Sequence, residues 1–349
     1  MARNVIVVGG GTAGLISALT LMNTCQDVNV SIVRSSDIGH IMVGEGTVGS
    51  TPKFFHKTLD ISPQDFYAAV KPTFKLGVRF LWGSRPYFDY TFSSQLEQPC
   101  FPNTKTPLGY YFLHSEWEGI SSISECMSQN KLPFSEDVIV EKGYPKNTAY
   151  HFENQAFVEF LEKRFESLGG QLIDATVLTA TLNDKGIESL QLNTEERIFG
   201  DFFIDASGFR GELIHKQLGE PYISMSDHLF CDKAIVGGWE RQGNEPIKPY
   251  TTAETMRAGW CWQIEHEHII NRGYVHCSQF ISEDEAVTEF KQKNPKIQDV
   301  RVVPFETRRI RRSWVKNVVA IGNACGFVEP LEATNIQVIC NQSYHFANT

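Results

Sequence analysis

Several common sequence features are absent from this chain, and each absence excludes a class of protein. The eight cysteines include no Cys-x-x-Cys pair, which argues against a zinc ribbon and a dense disulfide framework. No stretch of about 18 uninterrupted apolar residues occurs, so we predict no membrane span. The net charge of −9 disfavours a general nucleic-acid surface. Cysteines without such pairing are typical of a cytoplasmic protein, and we expect that location.

Metal ligation is also poorly supported. His266-x-His268 has a spacing that one strand face could share, but no Asp, Glu or His partners at ligand spacing accompany it. We therefore predict no metal site. Four arginines between positions 308 and 312 form the one basic patch, which we interpret as a surface or phosphate-contact region.

The composition that is present is typical of a soluble globular protein. The chain has 349 residues, of which 42% are hydrophobic and 21% are charged. Its length suggests about two domains, each large enough to bury a core.

The N-terminal segment has the pattern of a dinucleotide-binding unit. An apolar run at 4–8 leads directly into Gly9-x-Gly11-x-x-Gly14, and apolar residues at helical spacing follow. This order lets the backbone approach a pyrophosphate at the positive end of a helix. The next predicted strand, 28–33, ends at Arg34, where an acidic residue usually binds a ribose hydroxyl.

Two later turns follow predicted strands in the same way. Asp205 to Gly208 comes after the apolar run 202–204, and Gly322 with Asn323 comes after the run 317–321. Because the carboxyl ends of parallel strands meet at one edge of a sheet, these turns favour a single cofactor site. They are of the kind that flavoproteins use around FAD.

We therefore predict an α/β fold in which a Rossmann-like FAD-binding domain with a mostly parallel sheet is interleaved with a mixed-sheet substrate module. The FAD-binding domain is expected to comprise 1–80, 150–215 and 300–349. The substrate module is expected to comprise 81–149 and 216–299, with a loop-rich insert at its start.

Three further motifs have a structural interpretation beside a functional one. Lys75, in a strand-like run, is either a solvated residue or a reactive amine. Trp260 and Trp262 alternate with Cys261, so their indoles face the same side of a strand and form either core or a binding wall. Thr334 and Asn335 begin a predicted helix, whose free N–H groups either receive a cap or bind an anion.

Taken together, the motifs resemble the flavin-dependent halogenases of the tryptophan halogenase type. The resemblance extends over nearly the whole chain. Six segments carry it: GGGTAG (9–14), VGEGT (43–47), FKLGVRF (74–80), DASGFRG (205–211), GWCWQI (259–264) and GNACGFVEPLEAT (322–334).

The resemblance implies a reaction and its participants. A separate flavin reductase supplies reduced FAD, which with oxygen and a halide yields hypohalous acid. Lys75 then presents the oxidised halogen to an indole- or phenol-like aromatic substrate, with Glu332 assisting. The halide is expected at Thr334 and Asn335, and the two tryptophans line the passage between flavin and substrate. No nucleic-acid or membrane partner is implied, and homo-oligomerisation is left open.

The resemblance also implies which residues contact the cofactor. The FAD-binding residues are expected to be Gly9, Gly11, Thr12, Ala13, Gly14, Arg34, Gly44, Asp205, Gly208, Gly322 and Asn323.

Two alternatives stay open at this point. One is a flavin monooxygenase that hydroxylates a small aromatic compound. The other is a catalytically silent flavin-binding protein, which is suggested by four departures from the family pattern. These departures are Arg34, Gly46, Glu265, which stands where a proline is expected, and Asn335, which stands where glycine is usual.

Overall fold

The computed structural model describes residues 3–38, 44–92, 122–134 and 148–349. Most of the predicted loop-rich insert lies outside these residues. So do Val43, the first residue of the VGEGT segment, and His40 and His114, two histidines to which the sequence assigns no metal-binding role. Among the described residues, no helix has the length and apolarity needed to cross a membrane.

The strands are numbered in chain order. They are β1 (Arg3–Val8), β2 (Val28–Arg34), β3 (Gly44–Gly46), β4 (Thr73–Lys75), β5 (Gly77–Leu81), β6 (Phe88–Thr91), β7 (Ala149–Glu153), β8 (Gln171–Asp174), β9 (Val177–Asn183), β10 (Gly186–Leu192), β11 (Arg197–Phe199), β12 (Phe202–Asp205), β13 (Tyr222–Ser224), β14 (Lys233–Glu240), β15 (Thr251–Met256), β16 (Gly259–Glu265), β17 (Ile269–His276), β18 (Arg301–Pro304), β19 (Arg308–Ile310), β20 (Trp314–Val315), β21 (Val318–Ala320) and β22 (Gly326–Phe327).

The helices are numbered in the same way. They are α1 (Thr12–Thr24), α2 (Thr51–Lys53), α3 (Pro63–Val70), α4 (Ser122–Ser128), α5 (Asn154–Ser167), α6 (Glu283–Lys293) and α7 (Asn335–Ala347). Two π-helical segments (Phe54–Thr58 and Glu212–Gln217) and two 3-10 turns (Gly208–Arg210 and Gly322–Ala324) complete the helical structure of the described residues.

A six-stranded sheet with the order β20-β21-β12-β1-β2-β8 organises the first half of the fold. All its neighbouring strands are parallel except β20 and β21. Its central strands are short valine- and isoleucine-rich runs, as expected where both faces of a sheet are covered. The predicted Rossmann-like architecture with a mostly parallel sheet is confirmed.

Helices and a second layer cover the two faces of this sheet. On one face α1 buries Leu15, Ile16 and Leu19 in a core that also contains residues of α5 and α7. On the other face Leu190 of β10 and Leu213 pack against β1 and β12. The periodic apolar positions of α1 therefore point inward, as their helical spacing predicts.

A seven-stranded, mostly antiparallel sheet with the order β18-β14-β17-β16-β15-β5-β6 forms the second half. Helix α6, which a complete Ser282–Glu285 capping box begins, packs Phe290 against one face of it. The segments Gly77–Leu81 and Arg301–Pro304, at the edges of the predicted FAD-binding domain, pair within this sheet. The division into two modules stays a prediction.

A small antiparallel sheet with the order β3-β7-β4 lies between the two large ones. Tyr150 and Phe152 of β7 enter the core of the parallel sheet. Lys75 of β4 pairs in register with Ala149, so alternation puts it on the face of β7 that carries His151. This face is directed to the seven-stranded sheet, because the His151 ring bonds the Thr251 hydroxyl of β15.

The segment 74–80 differs from the single strand that its alternation predicts. It breaks at Leu76, whose N–H donates to the carbonyl of Pro249 and whose carbonyl accepts from Phe92. The chain passes there from the small sheet to the seven-stranded sheet. The alternation of the sequence predicts one strand with Lys75 and Arg79 on the same face, and this prediction is wrong because the two residues belong to different strands, β4 and β5.

Candidate active site

The glycine turn after β1 has the geometry that the sequence predicts. Gly9 has a φ of +120°, and a Cβ atom there would lie 2.2 Å from the carbonyl oxygen of Ala206. A Cβ atom at Gly14 would lie 1.8 Å from the carbonyl oxygen of Gly9. Only glycine fits these two positions, because any side chain would collide with backbone. The turn leads straight into α1, which Gly11 precedes without any side-chain cap.

The other predicted cofactor turns meet this one at the carboxyl edge of the parallel sheet. The N–H of Ala206 donates to Val8, and the N–H of Ile321 donates to Asp205, each over 2.9 Å. Gly322 has a φ of +64°, and a Cβ atom there would lie 2.8 Å from the Cβ of Ala13. Three segments distant in sequence thus converge around the start of α1.

The arrangement of these three turns is suited to binding a dinucleotide. The start of α1 has free N–H groups, no acidic residue in its first turn and no capping side chain, so it favours a diphosphate. The Oδ1 atom of Asn323 is buried without a hydrogen-bond partner among the described residues. A buried acceptor of this kind is costly unless a ligand or water donates to it. Gly208 has a φ of +69° and open space beside it.

The Asp205 side chain points into the protein and stabilises the turns at this edge of the sheet. Its carboxylate is buried and accepts hydrogen bonds from the N–H and hydroxyl of Ser207 and the N–H groups of Leu213 and Ile214. Burial raises the pKa of the carboxyl, and these hydrogen bonds oppose the shift. Its direct contact with a cofactor stays a prediction.

Glu45 is a residue of this region that sequence reasoning missed. Its Oε1 accepts a hydrogen bond of 3.0 Å from Asn154, whose own Oδ1 accepts from the hydroxyl of Thr12 at 3.4 Å. Burial raises the pKa of the Glu45 carboxyl to about 7. The chain of bonds connects β3, and with it Gly44, to the start of α1.

Lys75 is fully buried, which is unusual for a lysine. Its Nζ atom has no hydrogen-bond partner among the described residues, and it lies 5.4 Å from the centroid of the Phe92 ring. Desolvation lowers the pKa of the amine to about 7. Near neutral pH Lys75 therefore populates both the ammonium and the nucleophilic amine.

His151 lies beside Lys75, and no sequence motif indicates it. Its Nε2 bonds the hydroxyl of Thr251 over 2.7 Å. Burial holds the pKa of the imidazole well below its usual value, and the nearby charges of Lys75 and His266 lower it further. The ring is therefore neutral at physiological pH and places no second positive charge beside Lys75.

Gly46 joins this pair to the turn before α7. A Cβ atom at Gly46 would lie 3.3 Å from the Nζ of Lys75, 3.4 Å from the Cβ of Ala333 and 3.4 Å from the Cδ2 of His151. The turn that contains Glu332 is thus adjacent to the lysine. The Glu332 side chain itself is exposed.

The turn before α7 contains a left-handed residue. Ala333 has a φ of +54°, and Asn335, which stands where glycine is usual, is the first helical residue. Thr334 precedes α7 without a side-chain cap bond. Of the two alternatives for this helix start, a side-chain cap from Thr334 is therefore not seen, and the first N–H groups of α7 lack partners within the helix.

Trp260 and Trp262 face the same side of β16, as predicted. Both are buried, and their ring centroids lie 6.0 Å apart. They belong to a core cluster against which Leu331, from the turn near Lys75, also packs. The Nε1 of Trp260 is buried without a partner among the described residues. The indoles form an apolar wall that reaches the lysine turn.

Glu265, in place of the expected proline, has a partner on the other face of β16. Its carboxylate forms an ion pair of 2.5 Å with Arg241, and both side chains are at most 7% exposed. Gln263 donates to its other oxygen, and its carbonyl accepts a short hydrogen bond from the hydroxyl of Thr73. A proline here would leave Arg241 buried and unpaired.

The remaining polar candidates form no separate site. His266 is buried and His268 is exposed, and no group of three metal-binding side chains occurs in the part of the chain that the structure describes. Within the arginine patch, Arg308 stacks on Tyr222 at 3.8 Å and Arg312 pairs with Glu220. These two arginines serve packing and ion pairing.

The fold and its strand-end turns define a Rossmann-type dinucleotide-binding enzyme with a buried lysine between its two large sheets. The sequence profile of the tryptophan halogenase family matches residues 4–348. The protein therefore belongs to the tryptophan halogenases, a class of flavin-dependent halogenases.

Individual relatives agree with this assignment. The chain is 30% identical to tryptophan 7-halogenase RebH of Lentzea aerocolonigenes, over 96% of this chain and 67% of the relative. It is 31% identical to tryptophan 7-halogenase KtzQ of Kutzneria sp. (strain 744), with the same coverage. The crystal structure of MibH, described as a lanthipeptide tryptophan 5-halogenase, matches with a TM-score of 0.89 and 34% identity, over 99% of this chain and 66% of that one.

A flavin-dependent halogenase from Xanthomonas campestris matches with a TM-score of 0.87 and 28% identity, over 100% of this chain and 71% of that one. The chain thus spans about two thirds of the length of the relatives that it matches.

Proposed function

We propose that this protein halogenates an electron-rich aromatic compound, using reduced FAD, oxygen and a halide. The single observation that carries the proposal is Lys75, fully buried, without an acceptor among the described residues, and adjacent to the turn before α7. A lysine so placed is costly to fold and is typical of a functional site.

The cofactor would be held by the glycine turn, the start of α1 and the two other strand-end turns. Reduced FAD, when bound, supplies with oxygen the two-electron oxidation of halide to hypohalous acid. We propose that Gly9, Gly11 and Gly14 admit the diphosphate and that Asn323 donates or accepts at the edge of the site. Thr12 and Ala13 lie at the start of α1 and complete the cradle.

Lys75 would act on the oxidised halogen. As an ammonium it donates a hydrogen bond that polarises hypohalous acid, and as an amine it attacks the halogen, forms an N–halogen bond and releases water. The lowered pKa of Lys75 makes both forms available near pH 7. Glu332, on the adjacent turn, is proposed to orient the lysine species or to accept the proton that the aromatic ring loses.

The halide is proposed to bind at the backbone N–H groups of Thr334 and Asn335. These groups stand at the start of a 13-residue helix, where an anion is stabilised. The exposed Glu332 side chain can turn away from the anion, as charge repulsion requires.

The substrate is proposed to be indole- or phenol-like. The apolar wall of Trp260 and Trp262 favours an aromatic ring, and the names of the relatives refer to tryptophan and, for MibH, to a lanthipeptide tryptophan. We further propose that a separate reductase supplies the reduced flavin and that the protein acts in the cytoplasm. That location is supported by the free thiols of the seven described cysteines.

The test is incubation with a flavin reductase, NADH, FAD and each halide in turn, over a panel of indoles and phenols, with products identified by mass spectrometry. We expect a halogenated product that depends on the halide. Hydroxylation independent of halide would support a monooxygenase instead. Flavin binding without any turnover across the panel would support a silent flavin-binding protein.

A further inference from the structure

The end of β2 departs from the usual chemistry of a dinucleotide site. A carboxylate commonly stands there and accepts hydrogen bonds from the ribose hydroxyls of the adenosine half. Arg34 takes this position. A guanidinium has only donors and cannot accept a hydroxyl hydrogen bond. The chain therefore lacks the acceptor at the place where it is expected.

A carboxylate reaches the same place from another element. The Nε of Arg34 lies 3.3 Å from the Oε1 of Glu162 on α5, and the side chains are 30% and 18% exposed. The stem of Arg34 lies along the glycine turn, since a Cβ atom at Gly10 would be 2.6 Å from its Cβ and 2.8 Å from its Cδ. The ion pair is thus next to the cradle proposed for the diphosphate.

The charged groups around Arg34 indicate which part of a dinucleotide the Arg34–Glu162 ion pair can bind. Asp174 stands beside Arg34 in register on β8, and the backbone N–H of Ser36, with a smaller contribution from Arg34, lowers the pKa of its carboxyl. Two carboxylates therefore surround one guanidinium, and the local charge is negative. Such a group disfavours a further phosphate and favours neutral hydroxyl groups.

We propose that Arg34 and Glu162 together bind the ribose diol of the adenosine half of FAD, with Glu162 as the acceptor and Arg34 as the residue that positions it. This inference rests on the proposed binding of FAD. It is independent of halogenation, because a silent flavin-binding protein would need the same contact.

The first experiment is FAD titration of purified protein, followed by flavin fluorescence. Glu162→Gln removes the anionic acceptor, so FAD binding should weaken by about tenfold to a hundredfold. Glu166→Gln, an exposed neighbour on the same helix, is the matched control and should leave the affinity unchanged. Equal affinities for the Glu162→Gln variant and the parent protein would overturn the proposal.

Arg34→Glu separates this proposal from a simpler hypothesis, in which the protein has no carboxylate at all that binds the ribose hydroxyls. Under that hypothesis the variant restores the carboxylate and tightens FAD. Under our proposal it places a third carboxylate against Glu162 and Asp174 and weakens binding. Thermal unfolding of each variant checks that the fold is kept, and Glu162→Asp, which retains the charge, should recover part of the affinity.

Competition by adenine nucleotides identifies the group that is recognised. ADP should displace FAD better than 2′-deoxy-ADP, and Glu162→Gln should abolish the difference. Adenosine 2′,5′-bisphosphate should compete no better than ADP. A clear preference for the bisphosphate would show that Arg34 binds a phosphate and would overturn the proposal. Failure of the parent protein to bind FAD at all would instead refute the proposed cofactor.

Discussion

Replacement of Lys75 by methionine should stabilise the protein, even though it should abolish halogenation. Methionine retains the length of the stem and removes the ionisable group from a site that is fully buried. The folded protein holds the pKa of Lys75 at about 7, against 10.5 for an ordinary lysine. This difference corresponds to about 4 kcal/mol that folding loses at pH 7, because Lys75 is almost fully protonated in the unfolded chain and only about half protonated in the folded protein.

The pH dependence is the specific signature of this effect. Between pH 7 and 10.5 the unfolded state binds one more proton than the folded state at this residue, so the stability of the parent protein rises with pH by about 1.4 kcal/mol per unit. The Lys75→Met variant lacks this contribution. Its advantage should therefore be largest near pH 7 and should disappear towards pH 10.5.

Other groups do not disturb the comparison. His151 is neutral throughout this range, because its pKa lies well below the usual value. Glu45, with a pKa of about 7, is ionised above pH 8, where the measurements should be concentrated. The cysteines are shared by both proteins, so their titration cancels in the difference.

The assay is urea unfolding of both proteins at intervals from pH 7.5 to 10, with Lys163→Met as the control. Lys163 is exposed on α5, so its removal should give a small difference that does not change with pH. A Lys75→Met difference that stayed constant with pH would show that burial does not lower the pKa of Lys75. That result would refute the argument for a reactive amine.

Three further predictions concern the framework of the site. Glu265→Ala should lower the free energy of unfolding by about 3 kcal/mol, because it removes the carboxylate that neutralises the buried Arg241 guanidinium and leaves it only backbone carbonyl acceptors; chemical denaturation measures this, and a change below about 1 kcal/mol would contradict it. Ala333→Gly should stabilise by up to about 1 kcal/mol, because glycine tolerates a φ of +54°, and a lower melting temperature would show that the turn needs the methyl group. Gly273→Ala should disrupt the tryptophan wall, because the new Cβ would lie 1.9 Å from the Trp262 ring, and unchanged near-ultraviolet circular dichroism would argue against that packing.

The sequence predicts the parts of this molecule that are local. The strand, glycine turn and helix at the N-terminus follow from short-range periodicity and from glycines that no other residue can replace. The common face of Trp260 and Trp262 follows from the alternation of a strand. The periodicity of the sequence also predicts a helix over 283–293, and helix α6 has these bounds.

The parts that the sequence does not predict depend on contacts between distant segments. His151 becomes a neighbour of Lys75 only because β7 pairs with β4, although 75 residues separate the two positions in the sequence. Arg241 follows β14 and Glu265 ends β16, two strands that β17 separates in the sheet, and no spacing rule relates the two residues. The break at Leu76 is set by Pro249 and Phe92, which bind its backbone from two other segments.

The placement of Lys75 between the two large sheets explains how the chain keeps so costly a group buried. Thr73, two residues before it, donates to the carbonyl of Glu265, and His151 bonds Thr251, so the small sheet is attached to the seven-stranded sheet at two points. On its opposite face, Tyr150 and Phe152 are fixed in the core of the parallel sheet. Moving the lysine towards water would break both attachments or empty that core. The amine therefore stays in an apolar site between the proposed cofactor edge and the tryptophan wall, where its lowered pKa is compatible with the proposed transfer of a halogen.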